Sequence, residues 1–336
     1  MLKKILLAAA VTASLSMTAY AADKMVFTAW GGTTQEAQKK AFADTFTAKT
    51  GVEVLQDGPT DYGKLKAMVE SGNVAWDVVD VEMDFAIAAA KQGLLEPIDF
   101  GVVDKSKIDP RFAADHFVGS FYYSFVIGYN KDVLKETPQN WADLFDTAKF
   151  PGKRTFYKWS APGALEIALL ADGVPADKLY PLDLDRAFKK LDTIKKDILW
   201  WGSGAESQQY LASGEAPIGM FWNGRIFAIQ QEGGNVDTAW GQNLTAADVL
   251  VVPKGSKNKD IAMKFLANAT SADVQAELSK LTTLSPINID SKAKMDAAAV
   301  AALPDSHTDG QINLDMGYWA EHRDEIAKRW YDWQAK

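Results

Sequence analysis

Met25-Val-Phe-Thr-Ala29, followed by Trp30-Gly31-Gly32 and then Thr33-Thr-Gln-Glu36, decides the fold class. The first five residues form a short β-rich run that halts at a glycine pair. Thr33 with Glu36 three positions later has the spacing of a capping box, which predicts a helix opening there. Phe42 and Phe46 lie four apart on one face of that helix, and Gly51 is suited to end it in a left-handed conformation. Working outward, Val52-Glu-Val-Leu55 reads as a second strand, about 62–70 as a helix, and Trp76-Asp-Val-Val-Asp-Val81 as a third strand. An Ala-rich helix follows to Gln92. Strand, helix, strand, helix, strand with short loops predicts a parallel sheet with right-handed crossovers. Ligands of such sheets sit beyond the carboxyl ends of the strands, which here are Trp30-Gly31-Gly32 and Glu82-Met83-Asp84.

A second α/β unit follows. Phe121-Tyr-Tyr-Ser-Phe-Val-Ile-Gly-Tyr-Asn130 is a continuous apolar run suited to cross from one unit to another. Beyond it lie strand-like runs at Thr155–Tyr157, Ile198–Trp201 and Ile218–Trp222, with helical patterns over about 163–171 and 184–195. Asp248-Val-Leu-Val-Val-Pro253 reads as a return strand, 258–270 as a helix, and Gly317–Trp333 as an amphipathic tail rich in Trp and charge. Bridges near 125–129 and 248–252 are what a two-lobed hinge requires.

The first residues carry a different signal. Met1-Leu2-Lys3-Lys4, an apolar run from Ile5 to about Val11, and Ala19-Tyr20-Ala21 have the layout of a cleaved secretory signal over residues 1–21. The apolar run is short of the ~20 residues that a membrane-spanning helix needs. The whole chain has 336 residues, a 47% apolar share and a formal charge of -8. These values fit an exported soluble protein with two cores, and they argue against nucleic acid, whose binders gain affinity from clustered Lys and Arg. With no Cys, there is no disulfide framework, thiolate metal site or Cys nucleophile.

Enzyme signatures are missing. The three His stand at 116, 307 and 322, too scattered for a zinc helix motif or a triad. Asp77, Asp80, Glu82 and Asp84 invite a metal reading. Strand alternation turns them to opposite faces, and the calcium-loop glycine is missing, so most of them are expected to be solvated or to face a hinge. No cofactor and no metal are expected. The abundant aromatics stand out instead. Of the 11 Trp, Trp30 and Trp222 end predicted strands, and Tyr122, Tyr123 and Phe125 flank the crossover. A cleft lined in this way offers π faces that attract an ammonium group.

These blocks carry a family resemblance. Thr28-Ala-Trp30, Trp76-Asp-Val-Val79, Ile127-Gly-Tyr-Asn130, Asn140-Trp-Ala-Asp-Leu144 ahead of Lys149-Phe-Pro-Gly-Lys153, Gly219-Met-Phe-Trp-Asn-Gly224, and Asp248 before Val252-Pro253 resemble the periplasmic solute-binding proteins of ABC transporters, spermidine/putrescine type. The resemblance implies an α/β, two-lobed periplasmic binding protein fold of type II. Each lobe would be a mostly parallel sheet flanked by helices, and two crossover strands would form the hinge. The expected division is 22–127 plus about 250–300 for lobe 1, and 128–249 plus about 301–336 for lobe 2. It also implies a periplasmic, monomeric, non-enzymatic protein that hands a small ligand to an inner-membrane permease with a cytoplasmic ATPase.

In polyamine binders of this family, residues at the positions of Trp30, Trp222 and Asp248 enclose the ligand amines. This chain departs from them at Trp159-Ser-Ala-Pro-Gly163, which has no carboxylate, and at Arg225, where a small residue is usual. A guanidinium in a dry cleft repels a dication and pairs with a carboxylate. One cation receptor and one anion receptor call for a zwitterion, and the linear frame favours an ω-amino acid, γ-aminobutyrate (GABA) first. Glu82, Ser124, Trp159, Ser160 and Thr283 complete the expected lining. The alternatives are a structural salt bridge at Arg225 or Asp248, a putrescine-like ligand, a ferric ion on Tyr122-Tyr123, and an exported glycan hydrolase.

Overall fold

The computed structural model describes residues 23–336, so the secretory signal expected over 1–21 lies outside the described residues. Among the described residues ten strands form one sheet: β1 (Lys24–Thr28), β2 (Glu53–Asp57), β3 (Val78–Glu82), β4 (Ala113–Ala114), β5 (Phe117–Asn130), β6 (Arg154–Tyr157), β7 (Ile198–Trp201), β8 (Ile218–Trp222), β9 (Val236–Val251) and β10 (Ile312–Asn313). Their spatial order is β2-β1-β3-β9-β5-β8-β6-β7, with β10 added to β9 and β4 to β5. The parallel trio β2, β1, β3 makes one half and the parallel trio β8, β6, β7 the other. The long antiparallel strands β5 and β9 belong to both halves. The first part of β5 and the last part of β9 pair on the β3 side, while Ile127–Asn130 pairs with Val236–Ala239 on the β8 side. The register slips between Phe125 and Ile127, where the two halves meet. This is the periplasmic binding protein architecture expected from the sequence.

Three details differ from the sequence reading. The return strand starts at Val236 rather than Asp248, because Gly241, Gln242 and Asn243 fall at the break in the β5–β9 register between Ala239 and Leu244 and interrupt the apolar signal. Helices Gly204–Ser213 and Ala272–Thr282 go beyond the sequence reading: the first buries only Gly204, Ser207 and Leu211, and the second buries Gln275, Ser279 and Thr282 beside its apolar residues, so neither has a clean apolar stripe. The helix after β1 begins at Gly32 without a Thr33 cap. Gly31 stands at the N-cap, and Gln35 Oε1 takes the Gly31 N–H at 2.8 Å, so Gln35 supplies the acceptor that the capping box would have given. Gly51 does end this helical run in a left-handed conformation, with Phe42 and Phe46 buried.

The Trp222-Asn223-Gly224 block has a structural explanation. The Asn223 side chain takes the Ser124 N–H at 3.1 Å and donates to the Thr283 carbonyl at 2.8 Å, so it ties β8 to β5 and to the end of helix Ala272–Thr282. A Cβ on Gly224 would stand 2.8 Å from the Thr282 carbonyl oxygen, a contact that real side chains do not make. The last helix, Met316–Gln334, lies across both halves. Trp319 donates to Glu166 at 2.6 Å and Trp330 to the Lys158 carbonyl at 2.8 Å, while Arg323 reaches Glu82 and Asp84 on the β3 side. Gly224→Ala is expected to destabilise the protein by about 1–3 kcal/mol through overpacking, read as a lower midpoint in urea denaturation.

Candidate functional site

The carboxyl ends of the strands in the two halves face each other. From the β2-β1-β3 half come Trp30 after β1 and Glu82 at the end of β3, joined by Asp248 of β9, which stands opposite Glu82 in the antiparallel register. From the other half come Tyr157 and Ser160 around the end of β6, Trp201 and Gly202 after β7, and Trp222 and Arg225 after β8. Arg225 Nη1 donates to Thr33 Oγ1 at 3.1 Å, on the helix that follows β1, so the cleft is bridged from one half to the other.

The aromatics form a continuous wall. The Trp222 ring lies 4.8 Å from Trp201, 5.3 Å from Tyr157, 6.3 Å from Tyr123 and 6.4 Å from Phe125, with Trp201, Tyr157 and Tyr123 edge-on to it. On the opposite side Trp30 meets Tyr62 edge-on at 5.7 Å, and Tyr62 stacks on Phe85. Trp30 is also among the more exposed large apolar residues, at 37%. Ring faces attract cations, and the apolar surface of such a wall accepts alkyl chains.

Charge is divided between the two halves. Asp248 is buried, and its pKa is held well above the ordinary carboxylate range, first by burial and then by the neighbouring charges of Asp80 and Glu82. Arg225 has only neutral partners among the described residues, Thr33 Oγ1 and Gln208 Oε1 at 3.3 Å, and its guanidinium lies 5.9 Å from the Trp222 ring. Burial lowers its pKa, although a guanidinium remains charged at neutral pH. It packs over Gly204, where any side chain would collide with it. The salt-bridge alternatives for Arg225 and Asp248 are therefore unsupported: neither is in an ion pair among the described residues. Two further polar atoms in the Arg225 half are buried without a partner, Trp222 Nε1 and Ser160 Oγ.

Other expected residues lie elsewhere. Ser124 is fully buried and its hydroxyl donates to Asn243 Oδ1 at 2.8 Å. Thr283 sits in a left-handed turn, its hydroxyl bonded to the Thr282 carbonyl at 2.6 Å and its own carbonyl to Asn223. Both hydroxyls donate their proton to partners within the protein. Trp159 is 45% exposed at the rim, under the Lys158 ammonium and bonded to the Gly202 carbonyl. Tyr122 and Tyr123 point to opposite faces of β5, as strand alternation requires. Tyr122 stacks on Phe112 while Tyr123 faces Trp222, so the pair cannot hold one ferric ion.

The acidic quartet needs the largest correction. Asp77, Asp80 and Asp84 are buried, not solvated. Asp77 faces away and accepts from Val26 N, Ser256 and Asn258. Asp80 accepts from Ser120 Oγ at 2.8 Å and from Gln38. Glu82 accepts from Tyr62 Oη at 3.1 Å and from Arg323 at 3.2 Å, while Asp84 pairs with Arg323. Asp80, Tyr157 and Arg323 escaped the sequence reading. Arg323 had no detectable signal, since its partners are some 240 positions away. Asp80 had one: residues two apart on a strand share a face, and that puts it beside Glu82.

The comparisons with known proteins agree with this geometry. Residues 41–306 match the family model of bacterial extracellular solute-binding proteins, and the chain belongs to that family. It is 35% identical over 318 residues to the gamma-aminobutyric acid-binding protein of Pseudomonas aeruginosa, covering 91% of this chain and 90% of that protein. A solved GABA receptor structure superposes with a TM-score of 0.90 at 66% identity, covering 94% of this chain and 98% of that one. The spermidine/putrescine-binding periplasmic protein of Salmonella typhimurium is more distant, 25% identical over 297 residues, with 82% of this chain and 81% of that protein covered.

Burial raises the Asp84 pKa to about 6 even with Arg323 beside it. This exceeds the unfolded value, so the folded state holds the extra proton and the group's contribution to stability falls as pH rises through this range. Arg323→Gln removes the compensating charge. It is expected to cost about 3–5 kcal/mol at pH 8, where Asp84 must ionise unpaired, and clearly less at pH 5. Urea denaturation at the two pH values measures the difference.

Proposed function

We propose that this protein is the periplasmic substrate-binding component of an ABC importer, and that it captures γaminobutyrate in the cleft between the two halves of the sheet. One observation carries the reading: among the described residues a buried carboxyl without a cation, Asp248, on the β3 side, and a half-buried guanidinium without an anion, Arg225, on the helix after β8, come from the two halves of the sheet. Unpaired buried charge is unfavourable, and a ligand with an ammonium at one end and a carboxylate at the other relieves both groups. Trp30 and Trp222 enclose the alkyl chain, and Trp222 Nε1 and Ser160 Oγ are free to donate beside Arg225. The 35% and 66% identical relatives, named for GABA, support the same ligand.

The protein acts by binding, not catalysis. A ligand held from both sides shifts the population to the closed form. In that form a monomer presents the ligand to an inner-membrane permease driven by a cytoplasmic ATPase. No helix among the described residues is long and apolar enough to cross a membrane. Lobe 1 is proposed as 22–127 plus about 250–300, and lobe 2 as 128–249 plus about 301–336.

Putrescine is the second reading, favoured by the acidity of Asp80, Glu82 and Asp248 at one end and opposed by Arg225 at the other. Titration calorimetry separates them. Arg225→Ala is expected to weaken GABA binding by about 3–5 kcal/mol, because the ligand carboxylate loses its guanidinium partner. Putrescine is expected to compete poorly for GABA-dependent quenching of Trp fluorescence. Unchanged GABA affinity in Arg225→Ala, or tighter binding of putrescine, contradicts the assignment.

A further inference from the structure

Asp80 has no assigned part in the site, yet it is fully buried one step behind Asp248. In the β3–β9 register Glu82 stands opposite Asp248 and Asp80 opposite Leu250, so Asp80 and Asp248 are diagonal neighbours on one face of the sheet. This places their carboxyls close enough to interact, with the Trp30 indole within reach of both. Asp80 Oδ2 is saturated by Gln38 and Ser120, both neutral, while Oδ1 has no donor among the described residues. The charged and titratable groups around the pair are Glu82 and Asp84 of β3 and the following helix, Tyr62, Tyr123 of β5, Tyr157 of β6 and Arg323 of the last helix. Arg323 is spent on Glu82 and Asp84 and makes no ion pair with Asp80 or Asp248. Gln38 is the polar contribution of the helix that follows β1.

Two carboxyls this close, buried and without a cation, cannot both ionise. Resting on the functional reading above, we propose that the ligand ammonium is received by the Asp80–Asp248 pair, which holds one proton while the cleft is empty and releases it when the amine enters. The only bond broken is the O–H of the carboxylic acid. Its proton passes to water or buffer, the amine keeps all of its own, and the charge enclosed at this end is the same before and after. Asp80 acts through Asp248 as a positioning residue, and makes capture of the amine sensitive to pH.

The carboxyl properties agree. Burial raises Asp80 to about 6 and holds Asp248 well above the ordinary carboxylate range, and an ammonium in contact lowers a carboxylate by roughly 1–3 units. Proton release therefore falls between the value of the loaded pair and that of the empty one, and affinity rises with pH across that interval. The ligand itself contributes nothing there, since free amines titrate near 10.4 and free carboxyls near 4.

The test is titration calorimetry of the full exported protein with γ-aminobutyrate, in phosphate and in Tris at pH 7, with affinities measured from pH 6 to 8. The expected result is a buffer-dependent heat equivalent to release of up to one proton, and a dissociation constant that falls with rising pH by at most about tenfold per unit. Equal heats in the two buffers with a pH-independent affinity overturn the proposal. Asp80→Asn keeps an acceptor for Gln38 and Ser120, and is expected to flatten the profile; a wild-type slope in that variant removes Asp80 from the pair. The wild-type proton count stands whether or not the variant folds. If γ-aminobutyrate gives no heat at any pH, the functional reading fails instead, and the same proton count is then taken with putrescine.

Discussion

A carboxylate taken out of water needs a proton or a cation, and a guanidinium taken out of water needs an acceptor. Most ionised groups in this molecule meet that requirement internally: Arg154, fully buried, donates to the carbonyls of Leu144, Asp146, Phe150 and Gly152, and Arg323 serves Glu82 and Asp84. Asp248 and Arg225 are exceptions, and they come from the two halves of the sheet. That unfilled requirement is what the structure offers to a ligand. The surroundings hold the two groups in place and keep them short of partners.

The fold achieves this with few elements. Parallel strands on each side bring their carboxyl ends to one cleft, so that short loops present Trp30 from one half and Tyr157, Trp201 and Trp222 from the other. The shared strands β5 and β9 give both halves a common spine. Asn223 and Gly224 fasten the start of the Arg225-bearing helix to that spine and to the Thr282–Thr283 turn. Arg225 is therefore carried on a backbone that is itself clamped, which limits how far the guanidinium can drift from the cleft.

The architecture was largely legible in the sequence because its signals are local. The periodicity around Met25–Glu36 and Trp76–Val81, the glycine at 51 and the apolar runs at 121–130 and 218–222 each report their own element. Trp30, Trp222, Asp248 and Arg225 were named through family resemblance and the chemistry of its departures. What stayed hidden is non-local. The Ser124 and Thr283 hydroxyls bond to Asn243 and to the Thr282 carbonyl, and Arg323 meets Asp84 across nearly the whole chain. Asp80 was misread for a different reason: alternation was applied to the quartet as a whole, although residues 80 and 82 share a face and only Asp77 turns away.

A crystal structure of the protein grown with γ-aminobutyrate tests the central claim most directly. The account requires the ligand nitrogen within about 3 Å of the Asp248 carboxylate and both ligand carboxylate oxygens within about 3 Å of the Arg225 guanidinium, with the chain between Trp30 and Trp222. A ligand bound in the reverse orientation, or an Arg225 side chain turned out to solvent in the loaded protein, contradicts it.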